Sequence, residues 1–208
     1  MKLTLSMPSY GRPQRTIRAI NCIANQNIND WEALVIGDNC PVIKDYLNSG
    51  YFNDIRIECA NKGNNLIIDN NYINQGGYGF AITNNNIKIA QGKYFIFFAN
   101  DDIILPNHFE NYLSQIENTD YDFVYFNSEV KPTNSLRVSR LEYGMIGHSE
   151  LIVRTEFLKQ MPIHNEHYGH DWELIKAMSE KGKYKKAENS ASTYHVMSLS
   201  DRRELGID

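Results

Sequence analysis

The chain has 208 residues and a formal net charge of −4, with 21 Lys and Arg against 25 Asp and Glu, which suits one domain with a sizeable core and excludes a nucleic-acid binder held by phosphate contacts. Its one basic cluster, Lys183 to Lys186, reads as a solvated connection. Three scattered cysteines, Cys22, Cys40 and Cys59, make neither a disulfide framework nor a zinc site and fit free thiols in a reducing, cytoplasmic compartment.

Leu3 to Met7 reads as a strand, and the stretch from Lys2 is too short for a signal-peptide core. No apolar run approaches the roughly 20 residues that cross a bilayer, so no transmembrane segment is expected. Pro13 sits where a first helical turn tolerates proline, and Ile17, Ile20 and Ala24 mark one helical face up to Gln26. Trp31 to Ile36 is a second strand ending at Gly37-Asp38-Asn39. A short helix from Val42 to Asn48 stops at Gly50, and Ile55 to Cys59 reads as a third strand. This β-α-β-α-β order predicts a largely parallel sheet.

Asn61 to Gly79, with Gly76-Gly77 inside it, reads as a long functional loop. Phe80 to Ala90 is a helix closed by Gly92 as its cap. The aromatic run from Tyr94 is a strand buried on both faces that carries Asp101 and Asp102 at its exit. Phe109, Tyr112, Leu113 and Ile116 give an amphipathic helix, and Phe123 to Phe126 a further strand. The pattern then weakens: a polar stretch to Glu142, a strand at Leu151 to Val153, a helix from Asp171 to Lys181 capped by Gly182, and a strand at Thr193 to Val196. The end at Asp208 brings no terminating signal, which fits either a compact enzyme or the first domain of a longer protein.

In an open α/β sheet, ligands bind at the carboxyl ends of the strands. Two adjacent carboxylates there repel each other unless a cation or hydrogen-bond donors share the charge. Read alone, the Asp101-Asp102 pair fits a divalent metal escorting phosphates, or one helix-capping Asp beside a solvated one.

Four segments in register, Leu5 to Pro13, Gln26 to Asn39, Gly92 to Asp102, and His170-Asp-Trp-Glu-Leu174, resemble the family 2 glycosyltransferases. The resemblance implies a GT-A (nucleotide-diphospho-sugar transferase) fold, an α/β class with a Rossmann-like, mainly parallel sheet flanked by helices. It implies a single domain over 1–208, with a nucleotide-sugar-binding half at 1–102 and an acceptor-binding half at 103–208. It assigns Pro8, Tyr10, Arg12, Asp38, Gly77 and Asp101 to the nucleotide, with Tyr10 against the base. Asp38 would read the base: a carboxylate only accepts, which suits the N3–H of uracil and not the lone pair of cytosine. Asp102 and His195 would hold Mn2+ or Mg2+ on the diphosphate. Asp171 would deprotonate the acceptor. His148, His164, His167 and His170 are further candidates for acceptor contacts. Ala99 departs from the motif, standing where many relatives carry another Asp.

The expected function is metal-dependent inverting transfer of a sugar from a UDP-sugar donor to a hydroxyl of a carbohydrate or other acceptor, with no nucleic-acid partner. A non-catalytic nucleotide-sugar-binding module and a nucleotidyltransferase are the alternatives. The second of these calls for a glycine-rich phosphate loop with Arg and Lys after the first strand, and that loop offers only Gly11 and Arg12.

Overall fold

The computed structural model describes residues 1–70, 79–131, 133–162 and 169–187, and the backbone of 193–196. The amino-terminal alternation holds: β1 (Leu3–Ser9), α1 (Pro13–Ala24), β2 (Trp31–Gly37) and α2 (Pro41–Asn48) follow in turn. Pro13 and Pro41 both stand in first turns, where a missing N–H costs the helix nothing.

Residues 55–59, expected as a strand, lie instead in α3 (Asn53–Asn61). Ile55 and Cys59 are four apart, so a helix turns both toward the core while Ile57 stays 58% exposed. A strand would have put all three on one face. The third strand is β3 (Asn65–Asp69), inside the segment expected as a loop; Leu66 and Ile68 are buried and Ile67 is exposed, a period of two. The rest of that segment, with Gly77, lies outside the described residues.

Downstream come α4 (Phe80–Ile89), β4 (Tyr94–Phe97), β5 (Ile103–Ile104), α5 (His108–Ile116), β6 (Phe123–Tyr125), β7 (Ser128–Lys131) and β8 (Ser135–Arg137). They are followed by β9 (Leu151–Arg154), α6 (Thr155–Leu158), α7 (His170–Lys181), β10 (Tyr184–Lys186) and β11 (Thr193–Val196). Four expectations change here. The strand from Tyr94 stops at Phe97, short of the Asp pair. The polar stretch after Asn127 folds as the β7–β8 hairpin, and the basic cluster is not a connection but the edge strand β10, where lysines discourage pairing with another chain. Gly92 does not cap α4, which ends at Ala90. A Cβ on Gly92 would meet the Thr4 nitrogen at 2.3 Å, so glycine lets this turn press against β1.

Seven strands form the main sheet in the order β10-β6-β9-β4-β1-β2-β3. β4, β1, β2 and β3 run parallel, and β9 runs antiparallel to its neighbours β4 and β6. A second sheet, β5-β11-β7-β8, lies beyond the exit of β4. The expected double-sided burial of β4 is met: Tyr94 and Ile96 join one core with Leu5, Ile20 and Phe109, while Phe95 and Phe97 join another with Ile87, Ile175 and Met178. Helices therefore cover both faces, and the exits of β1, β2 and β4 open side by side at one edge.

β1 is apolar on one face and polar on the other, where Thr4 donates to Glu32 at 2.6 Å and accepts from the Gly92 N–H at 2.8 Å. Gln91 N–H donates to the same Glu32 oxygen at 2.7 Å, so this buried carboxylate is multiply paired.

His108 opens α5 inside the core, its ring 4.0 Å from that of Tyr112, and burial pushes its pKa down to about 3 from 6.5. The folded state thus binds fewer protons than the unfolded one. Its contribution is intact above pH 6.5 and is lost as pH falls from there toward 3. Urea unfolding should show stability dropping below pH 6.5 by up to about 1.4 kcal/mol per pH unit for this one group. His108→Gln should flatten the slope.

Candidate active site

A knot of buried polar groups fixes the sheet edge. Ser9 Oγ at the end of β1 lies 2.9 Å from Thr16 Oγ1 on α1, and Asn100 Nδ2 donates to both at 3.1 Å. The chain leaving β4 is thereby fastened to β1 and α1 immediately before Asp101 and Asp102. Three arginines of α1 and its N-cap meet it there. Arg12 pairs with the Asp101 carboxylate, Arg15 approaches the same oxygen to 3.7 Å, and Arg18 donates to the Asp101 carbonyl at 2.6 Å. Asp102 is buried and accepts from Ser149 Oγ at 3.0 Å. Ser149 lies on a single 3-10 turn, His148–Glu150, fixed by Gly147 N–H donating to Glu150 at 2.7 Å and by Tyr112 OH donating to the Ser149 carbonyl at 2.9 Å.

Asp171 sits in the first turn of α7, which opens after Gly169 in the left-handed conformation (φ 97°). Its Oδ1 lies 3.1 Å from His148 Nδ1 and 2.9 Å from His170 Nε2, so two imidazoles from different elements hold one carboxylate oxygen. The His148 ring is stacked on Phe97 of β4, with centroids 4.4 Å apart and planes 17° apart. Burial pushes the Asp171 carboxyl up, but the two histidines, His148 foremost, pull harder and hold it well below the usual carboxylate range. Burial pushes His148 below the usual imidazole range, against the pull of Asp171.

A cleft of about 810 Å³ opens among these elements. Of the residues assigned from sequence, Pro8, Asp101, Asp102 and Asp171 line it together, joined by His148, His170 and Trp172. Arg12 reaches this wall only through Asp101. Tyr10 and Asp38 lie apart from that lining, at the exits of β1 and β2, where the register pairs Ser9 with Gly37. Tyr10 is 63% exposed. Asp38 is half-buried, its Oδ1 has no hydrogen-bond partner among the described residues, and desolvation raises its pKa. Gly77, His164 and His167 lie outside the described residues. The backbone of His195 pairs with Val130, which lines the cleft, while its side chain is outside the description.

Sequence reasoning missed Arg15, Arg18 and Ser149. Arg12, Arg15 and Arg18 recur every three residues, a spacing that puts them on one helix side and could have been read. Nothing local marks Ser149, since its partner Asp102 is 47 residues away.

A model of the family described as "Glycosyl transferase family 2" matches residues 4–172. The chain is similar to the putative colanic acid biosynthesis glycosyl transferase WcaA of Escherichia coli K12, with 29% identity over 62% of this chain and 43% of that one. It is also similar to the Escherichia coli UDP-Glc:alpha-D-GlcNAc-diphosphoundecaprenol beta-1,3-glucosyltransferase WfgD, with 27% identity over 64% of this chain and 48% of that one. In both cases the match spans less than half of the relative. Among solved structures, S. aureus TarS 1–349 in complex with UDP-GlcNAc superposes with a TM-score of 0.74 at 17% identity, covering 95% of this chain and 59% of that one. The mannosyltransferase PcManGT from Pyrobaculum calidifontis, in complex with GDP-Man and Mn2+, gives 0.66 at 14% identity, covering 95% and 57%. These likenesses establish the GT-A fold.

Asn100→Ala should leave the Ser9 and Thr16 hydroxyls without their shared donor in a buried place. Urea denaturation should report a loss of about 1–3 kcal/mol.

Proposed function

Because the chain belongs to glycosyl transferase family 2, we propose that it transfers a sugar from a UDP-sugar to a hydroxyl of a glycan or other acceptor, with inversion at the anomeric carbon. The observation that carries this reading is the meeting of Asp101, Asp102 and Asp171 in one cleft at the carboxyl edge of the sheet. The first two come from the exit of β4 and the third from α7, so no single turn motif explains their proximity.

The donor half is residues 1–102. Tyr10, exposed at the exit of β1, stacks on the base, and Asp38 accepts the imide proton of uracil. The Oδ1 of Asp38, without a hydrogen-bond partner among the described residues, supports this, because a half-buried acceptor gains most from a ligand that brings a donor. Pro8 and Arg12 border the diphosphate, with Gly77 supplying a backbone N–H. The acceptor half is residues 103–208, whose hairpin and following turn place Val130, Arg137 and Tyr143 on the facing wall of the cleft.

The fold implies a divalent cation on the diphosphate, and the residues fit one. Asp101 and Asp102 are adjacent carboxylates on the cleft wall, and hard oxygen donors suit Mn2+ or Mg2+. Bound there, the cation offsets negative charge on the diphosphate; His195 is its further candidate ligand. Arg12 and Arg15 already offset part of the negative charge of the Asp101 carboxylate.

The chemical step is a single displacement. The acceptor oxygen forms a bond to the anomeric carbon as the bond from that carbon to the diphosphate oxygen breaks, and its electron pair leaves with UDP. Asp171 takes the acceptor proton. Its depressed pKa keeps it ionised at neutral pH and makes it a weak base, suited to a transition state with oxocarbenium character in which the acceptor proton has become acidic. His148 and His170 hold its Oδ1 and set the orientation of the carboxylate.

Two measurements test this. Calorimetry with Mn2+ present should show UDP binding more tightly than CDP by about 1–3 kcal/mol, with Asp38→Asn narrowing the gap; equal affinities would remove Asp38 from the base site. Asp171→Asn should keep UDP-sugar affinity within about twofold while lowering single-turnover transfer by roughly 10²–10⁴. An Asp that only caps α7 would instead cost about 1 kcal/mol of stability and leave turnover near normal, which favours the binding-module alternative.

A further inference from the structure

We propose that His148, His170 and Asp171 form a second metal site, selective for Zn2+-class cations, and that filling it withdraws Asp171 from its role as base. Its ligands are the set expected for zinc, two imidazoles and a carboxylate. Their ligand atoms all lie within 4.8 Å of one another, the grouping of this kind found among the described residues. Asp171 Oδ1 is 3.1 Å from His148 Nδ1 and 2.9 Å from His170 Nε2. In a tetrahedral zinc site with bonds of about 2.0–2.2 Å, neighbouring ligand atoms are about 3.3–3.6 Å apart. The two distances to Asp171 thus need to lengthen by only a few tenths of an ångström to reach that spacing.

The histidines are held ready by aromatic contacts. His148 is stacked on Phe97, and the His170 ring lies 5.7 Å from that of Phe80. Both imidazoles are mostly buried, while Asp171 remains 38% exposed. All three line the cleft, so the fourth coordination position faces the space that an acceptor would enter. On binding, each imidazole gives its lone pair to the metal from the nitrogen that had faced Asp171 and carries its proton on the other ring nitrogen. No redox partner is required.

Imidazole ligands separate this site from the carboxylate pair. Nitrogen donors favour Zn2+, Co2+ and Ni2+ over Mn2+ and Mg2+, whereas Asp101 and Asp102 offer only oxygen. The site therefore discriminates against the cations that suit the diphosphate. The claim of binding rests on this geometry alone; the claim of blocked transfer also rests on the proposed role of Asp171.

The test is titration of the chain with ZnCl2 in the absence of nucleotide. A one-to-one binding phase is expected that a tenfold excess of Mg2+ does not remove. His148→Phe, which keeps a ring to stack on Phe97, and His170→Phe should each weaken it by at least about tenfold, the least that losing even an outer partner costs a metal site. Asp171→Asn, the least disruptive change, should weaken it similarly and guards against a histidine variant that folds poorly. Co2+ in place of Zn2+ should give visible bands of tetrahedral cobalt without thiolate charge-transfer absorption. Unchanged Zn2+ affinity in the His148→Phe/His170→Phe double variant, or thiolate bands pointing to cysteine, would overturn the site. Sub-stoichiometric loss of transfer that tracks Zn2+ occupancy would support the block. Full occupancy with undiminished transfer would overturn the block, and would count against Asp171 as base while leaving the site intact.

Discussion

The Ser9–Thr16–Asn100 knot is the constraint on which the site depends. A parallel sheet delivers strand ends to one edge but does not fix the chain that leaves them, and that chain carries polar groups that must be paired where water is excluded. Asn100 satisfies both hydroxyls with one amide and in doing so fixes the turn after β4 against β1 and α1. The positions of Asp101 and Asp102 follow from that. One faces the arginines of α1 and its N-cap, and the other accepts from Ser149. Two adjacent like charges are separated by giving each a different partner, which lowers their mutual repulsion before any ligand arrives.

β4 links this turn to Asp171 through an aromatic contact. Its alternating residues feed two cores, and Phe97, the last of them, supplies the face on which His148 stacks. His148 then meets Asp171, and Ser149, the next residue along, meets Asp102. One short turn thus touches both carboxylates, and the buried Glu150 that follows anchors it from beneath through Gly147 and Ser128. A change at Phe97 or Glu150 acts on both sides of the cleft at once, although neither carries the chemistry.

How much of this was legible varies with the range of the interaction. β1, β2 and β4 could be read because their patterns are local: a short apolar run, a stop at Gly37, an aromatic segment buried on both faces. Residues 55–59 misled because Ile55, Ile57 and Cys59 alternate like a strand, while the exposure of Ile57 that marks the helix is a tertiary fact. β3 was hidden by the Asn-rich sequence around it, and Leu66, Ile67 and Ile68, all apolar, show their period of two only in burial. Pro8, Asp101, Asp102 and Asp171, which the resemblance had singled out, line one cleft. The histidine pair around Asp171 could be named but not ranked, because His148 reaches Asp171 only through the fold. The hairpin β7–β8 was unreadable for a related reason: its strands are short, half-exposed and polar, and they are ordered by pairing with each other and with β11.

The two sides of the cleft differ in what fixes them, and this decides what a substitution on each side costs. The wall at the strand exits is built from parallel strands joined at their ends by buried hydrogen bonds, so a substitution there costs stability. The facing wall, with Arg137 and Tyr143, comes from an exposed hairpin and a turn, in which Leu136, Val138 and Tyr143 are open to solvent. Side chains there change with little effect on the core, since they bury little apolar area. Asp171 lies between the two regimes: α7 packs into the core through Leu174, Ile175 and Met178, while its first turn lines the cleft. A carboxylate held this way stays in register with the strand exits, while the exposed hairpin beside it carries little of the stability of the fold.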